Sequence, residues 1–327
     1  MKTFTYIFKG SLSLLLLLCS LTNSNAQTDT TKLIQRIPSD TSKQKLNMDA
    51  VYNRPFLTAG KLPIAIGGYL EANTQYAVTD GVSEGFSFQA RRFTLFFSST
   101  IAKKIKFLSE LEFEDGTKEI NIEFAAMDIE FHSLLNLRGG IIMNPIGAFN
   151  QNHDGPRWDF IDRPISTTTI IPSTLANAGF GLHGKYFVNN WIVGYETYLT
   201  NGFDDKIISN EDGRTSLAAG KKNPERFEES NSGLPMFTGK IAVRNRKLGE
   251  FGLSYMTGVY NKWKEDGLIL DNKRSASVIA ADFNTSFAKN RLILTGELAK
   301  VMVEVPELYI QTFGTQQFGG FIDIVGT

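Results

Sequence analysis

The run Gln89–Glu114, QARRFTLFFSSTIAKKIKFLSELEFE, decides the fold. Its first half puts Phe93, Leu95, Phe97 and Ile101 on one parity and Arg92, Thr94, Ser98 and Thr100 on the other, with Phe96 as the exception. After Ala102-Lys103 the pattern restarts. Ile105, Phe107, Leu111 and Phe113 share one parity; Lys106, Glu110, Glu112 and Glu114 share the other. Side chains alternate sides along an extended strand, so a period of two broken by a short polar stretch predicts an antiparallel hairpin with one apolar and one charged face. Each arm is close to the roughly 9–11 residues that a tilted strand needs to cross a bilayer. A soluble sandwich would alternate in the same way, so the rest of the chain must separate the two readings.

Outward from this hairpin the alternation recurs. Leu137 and Ile141 oppose Asn136 and Arg138; Phe237, Ile241 and Val243 oppose Thr238, Lys240 and Arg244; Leu292, Leu294 and Leu298 oppose Thr295 and Glu297. Short breaks at 116–118, 189–190, 247–249 and 289–290 interleave with long polar stretches at 144–176, 202–235 and 261–275. Tight turns alternating with long loops mark outer-membrane barrels. Tyr69, Tyr76, Phe86, Tyr186, Trp191, Tyr198, Tyr255 and Tyr260 fall near strand ends, as an interfacial girdle would. Inside hydrocarbon every backbone group must find a partner, and closure leaves no edge. The expected fold class is therefore all-β, an antiparallel transmembrane β-barrel with long outer loops. About eleven to thirteen strands are visible, and barrels of this kind carry an even number. The last residues, Phe321–Thr327, stop in mid-pattern without a terminal aromatic. The expectation is about 16 strands when complete, with a C-terminal closing segment missing.

The first 26 residues read differently. Lys2 and Lys9 precede the apolar run Leu12–Leu18, and Ser24-Asn25-Ala26 supplies small residues for cleavage after Ala26. This is the pattern of a secretory signal peptide. Cys19 follows Leu18 rather than a small residue, which disfavours a lipoprotein anchor. It is the one cysteine of the chain, so disulfides and zinc–thiolate sites are excluded from the mature protein. Residues 27–62 are rich in Thr, Ser, Lys, Gln and Asp and read as a flexible periplasmic segment, with Asn53–Phe56 as its first ordered point. The barrel is expected over 63–327. Lys plus Arg and Asp plus Glu each total 34, a balance that argues against nucleic acid as a partner. The three histidines are far apart, and no nucleophile elbow, P-loop or dinucleotide fingerprint is present. No catalytic residue, metal or cofactor is expected.

One known family shares these residues. FQARRFTLFFSSTIAKKIKFLSELEFED (88–115), AAMDIEF (125–131), LNLRGGIIMNPIGAFN (135–150), ANAGFGLHGKY (176–186) and YETYLTNGF (195–203) together resemble the phosphate-selective porin O and P family, from about Gly67 to about Phe203. The resemblance implies a water-filled barrel of the outer-membrane porin type, commonly trimeric, narrowed by an inward-folded loop. It also implies arginines and lysines along an anion-selective pore.

On the polar parity the candidate pore-lining and constriction residues are Arg92, Lys106, Arg138, Arg157, Arg163, Lys185, Lys240 and Arg244. Glu71, Glu110, Glu112, Asp128, Glu196, Asp282 and Glu297 share that parity, so the expected lining is mixed rather than cationic. The stretch 144–176 holds Pro145, Pro156, Pro164, Pro172, Trp158 and Phe160, and long loops of that kind are usually functional. It is expected to fold into the bore with Arg157 and Arg163 facing the permeant. Arg91, adjacent to Arg92, should point to the opposite face and snorkel toward the interface. The stretch 202–235 is crowded with acids and lysines and reads as an exposed, mobile outer loop. The function expected is passive diffusion of small hydrophilic solutes, anions such as phosphate among them, through the outer membrane of a Gram-negative bacterium. Outer-membrane lipid and further copies of the chain, as a trimer, would be its partners. The alternatives are a barrel enzyme of the lipase or protease kind and a plugged structural or adhesive barrel.

Overall fold

The computed structural model describes residues 50–52, 54, 64–245, 247–287 and 291–326. The leader and most of the segment 27–62 lie outside the described residues. The strands are β1 (Ile64–Thr79), β2 (Val82–Ala102), β3 (Ile105–Glu114), β4 (Glu119–His132), β5 (Leu135–Met143), β6 (Ala176–Val188), β7 (Trp191–Thr200), β8 (Met236–Asn245), β9 (Gly249–Val259), β10 (Lys264–Glu265), β11 (Leu268–Ile269), β12 (Ser275–Phe287), β13 (Leu292–Val303) and β14 (Gln316–Gly326). Twelve of them form one antiparallel sheet in chain order, and β10 with β11 makes a small hairpin in the loop between β9 and β12. The first turn shows how sequence sets a connection. Asp80-Gly81 takes φ of 51° and 81°, the left-handed pair that matches the twist of a two-residue hairpin. Between β1 and β14, the two edges, no ladder forms among the described residues.

Polarity across this sheet is inverted relative to a soluble protein. On β4, β5 and β8 the inward Asp128, Arg138 and Arg244 are at most 2% exposed, while outward Phe180 of β6 and Ile241 of β8 are about 60% exposed. The register read from the sequence holds. Arg92, Thr94, Glu110 and Glu112 are buried on the inner side, Lys106 lies half-buried between them, and Phe93, Leu95, Phe97, Phe107, Leu111 and Phe113 sit on the other parity. In water such an arrangement would bury charges and expose hydrocarbon, both unfavourable. In a bilayer the same pattern is what a lipid-facing wall requires. The fold is that of an outer-membrane β-barrel wall.

Curvature follows from one short segment. Phe149 meets Phe321 of β14 edge-on at 6.2 Å between ring centroids, and Gly155 N donates to the Tyr69 hydroxyl of β1 at 3.2 Å. Twelve flat strands spaced about 4.8 Å apart would hold those edges roughly 50 Å from each other. A chain of that length reaches about 25 Å at most. The sheet is therefore wrapped around the loop that follows β5.

Two expectations are corrected here. Arg91 does not face away from Arg92 to snorkel. Between Glu71↔Arg92 and Ala72↔Ala90 the pairing slips by one residue, and Arg91 is the extra residue of that bulge. The bulge re-aims its guanidinium to Glu71 at 3.4 Å and Asp162 at 2.9 Å, and Arg92 meets the same Glu71 at 3.2 Å. The stretch 202–235 is also not exposed throughout. Phe203, Ile207, Ile208 and Leu217 are buried with Met236, Met256, Tyr260, Val278 and Val301. Its turns are capped: Asp204 accepts from Lys206 N, and Ser216 accepts from Ala219 N at the start of the helix Leu217–Lys221. Four buried apolar side chains dispersed among many charges leave no period to detect in the sequence.

Candidate functional site

The loop between β5 and β6 lies against the inner side of the wall. Its neck is stapled by side-chain amides. Asn144 Nδ2 donates to Asn177 Oδ1 at 2.7 Å, Asn150 Nδ2 donates to the Asn144 carbonyl at 2.8 Å, and Leu175 N donates back to Asn150 Oδ1 at 2.7 Å. Gly147 then turns the chain with φ of 68°, and a Cβ there would lie 2.3 Å from the Glu297 carboxylate. Only glycine meets both conditions.

Beyond that turn the loop is anchored strand by strand. Gly147 N donates to Ser254 Oγ of β9 at 3.0 Å. Ala148 N and Phe149 N both donate to Glu297 Oε2 of β13, at 2.7 and 3.1 Å. Lys240 of β8 donates to the Gly147 carbonyl and to Asp282 of β12, each at 2.7 Å. Gln151 reaches Glu196 of β7 at 3.3 Å, and His153 Nε2 lies 3.2 Å from Glu110 of β3. Burial pushes the His153 imidazole down to about 4, and its Nδ1 lies 2.9 Å from the Asn150 carbonyl.

The predicted site residues fall into three groups. Arg92, Lys106, Arg138 and Lys240 point inward, each in a cross-strand ion pair. Arg92 lies 3.2 Å from Glu71, Lys106 holds Glu130, Arg138 grips Asp128 at 2.7 and 2.8 Å, and Lys240 holds Asp282. Arg138 also donates to Tyr198 at 3.2 Å. Arg244 is buried beside its ladder partner Glu250. Lys185 borders an inner cavity with Tyr52, His183 and Asn136; the cavity measures about 260 Å³ and opens toward the short-turn end, where Lys104 and Ser133 lie. Arg157 and Arg163 sit apart on the loop. Arg157 donates to Asn152 at 2.9 Å beside β13 and β14. Arg163 shares the field of Glu123 with Lys221, and burial pulls the Lys221 ammonium below its ordinary value.

The sequence reading missed Tyr52 and Arg54. Both lie inside the wall rather than in a lead-in below it. Tyr52 donates to Asp128 and accepts from Arg138 at 3.0 Å; Arg54 reaches Asp154 at 2.6 Å and Glu110 at 3.1 Å. The one available signal was Asn53–Phe56 as a first ordered point, together with Phe96 as an apolar residue on the polar parity of Arg92, Thr94 and Ser98.

No model of a known protein family matches the chain. An uncharacterized protein of Aquifex aeolicus is 30% identical over 221 residues, which is 65% of this chain and 48% of that protein. The chain thus spans about half the length of that curated relative. Among solved structures, an anion-selective porin from Comamonas acidovorans is similar with a TM-score of 0.44 at 12% identity, over 74% of this chain and 68% of that one. The outer-membrane channel DcaP of Acinetobacter baumannii follows at 0.41 and 13%, over 73% and 64%. Salmonella typhi OmpF gives 0.34 and 9%, over 78% and 83%. Scores this low do not assign an activity.

Proposed function

We propose that the protein is an outer-membrane porin, a non-enzymatic channel for passive diffusion of small hydrophilic solutes. The observation that carries this reading is the loop 144–175 held against the inner side of a wall that is charged within and apolar without. A wall facing lipid needs hydrocarbon on its outer side only. Charge on the inner side serves a solute, or water, passing along it. The reading places the protein in the Gram-negative outer membrane after removal of residues 1–26, as a homo-trimer.

Selectivity for anions such as phosphate is the finer reading. The inner wall carries many carboxylates, and several share one cation: Arg92 meets Glu71, Glu112 and Glu114, and Arg138 meets Asp128 and Glu196. A bias toward anions therefore rests on loop cations, Arg157 and Arg163 with Lys221 close by. Charges at a narrow radius dominate the field that a permeating ion feels. In planar bilayers under a salt gradient, neutralising Arg157 and Arg163 together should move the reversal potential toward cations at low salt. The shift should fade near 1 M, where screening acts within about 3 Å. A well-folded double variant with an unchanged potential removes the loop from selectivity.

A second reading, a plugged barrel, is favoured by close packing within the bore. Arg138, Arg244, Asp128 and Glu297 are all at most 2% exposed. Conductance of the purified protein separates the two, since a plugged barrel passes no current.

A further inference from the structure

Arg54 is held in a manner that a mere cross-link does not require. Its Nη1 lies 2.6 Å from Asp154 on the loop and its Nη2 lies 3.1 Å from Glu110 on β3. Two aromatic rings flank the guanidinium, Phe96 at 5.8 Å and Phe124 at 5.9 Å to their centroids. Both rings are 1% exposed and stand on the inner side of the wall. A pair of carboxylates with two ring faces is the chemistry that recognises an organic cation. The inner wall has a matching apolar floor. Leu108, Phe124, Ala126, Met143 and Ala176 are covered by Val51, three residues before Arg54. Hydrophobic side chains facing a water-filled bore would be unfavourable unless something sits on them.

We propose that the bore contains a binding site for an organic cation of the guanidinium or alkylammonium class, and that Arg54 of the chain itself fills it at rest. Glu110 and Asp154 neutralise the cation, Phe96 and Phe124 take its faces, and the apolar floor takes the stem beside it. The occupant belongs to the same chain, so its binding is intramolecular and a free cation competes with it poorly at low concentration. The site itself does not depend on whether the wall conducts.

The test is chemical rescue in detergent-refolded protein, with methylguanidinium chloride as probe and sodium chloride as ionic-strength control. Arg54→Ala should melt below the wild type and recover with millimolar methylguanidinium. Its half-saturating concentration should be at least tenfold lower than any seen for the wild type. If Arg54→Ala refolds poorly, its folded yield becomes the readout and should rise when the probe is present during refolding. A triple variant, R54A/E110Q/D154N, should lose the response. Equal response of the triple variant, or no response of Arg54→Ala in either melting or yield, overturns the proposal.

Discussion

At the level of single residues the charges of the inner wall are bonded to one another or to the backbone, and each such bond is costly to break. The Glu297 carboxylate is the clearest case, because one oxygen receives two backbone donors from the loop, Ala148 N and Phe149 N. Glu297→Ala leaves both donors buried and unpaired, at about 1–3 kcal/mol each. Glu297→Gln keeps an acceptor and should cost less. Urea unfolding of the refolded barrel measures the difference, and equal stability of Glu297→Ala and the wild type would remove Glu297 as the loop's anchor. Parity alone had placed Arg92, Lys106, Arg138 and Lys240 on the inner side, because a strand leaves a side chain only two directions. The partners were not legible. Arg138 grips Asp128 because β4 and β5 pair in a particular register, and a register is a relation between segments rather than a property of either. Arg91 was misplaced for a related reason: a bulge adds one residue and cancels the parity rule where it occurs.

At the level of elements, the strands were legible and the loops only partly. The β2–β3 hairpin places Leu95 opposite Leu111 on the outer side and Thr94 opposite Glu112 on the inner side. Leu95→Lys should therefore destabilise the barrel by roughly 2–4 kcal/mol if the position lies at mid-bilayer. Folding efficiency into lipid vesicles checks this, and a Leu95→Lys barrel that inserts like the wild type would reverse the assignment of faces. The loop 144–175 was recognised as ordered from its prolines and aromatics, and it lies against the inside of the wall. What fixes it there was not recognisable: an asparagine staple at the neck and a glycine turn pressed on a carboxylate 150 residues further on. In the stretch 202–235 local composition misled, since a loop can be charged on one side and still close an apolar cap with the other.

At the level of the whole molecule, each strand of the sheet pairs only with its neighbours in the chain, β9 meeting β12 across the small hairpin. The loop is the exception. It is bonded to Ser254 and Glu297, 107 and 149 residues downstream. This separation has a kinetic consequence. A meander can assemble hairpin by hairpin, each step closing a short loop at small entropic cost. The loop cannot find its anchors until β9 and β13 exist, so its seating belongs after the rate-limiting assembly of the wall. Interactions formed after the transition state govern how fast a protein comes apart and leave its rate of formation nearly untouched. Glu297→Ala should accordingly speed unfolding by most of its equilibrium effect while refolding keeps its pace, as stopped-flow fluorescence of Trp158, packed on Phe149, can follow. A variant that instead slows refolding would place the loop's capture early and make it the template on which the wall is wound. With late capture, the loop acts as a latch whose lifetime, rather than the stability of the wall, sets how long the bore holds one shape.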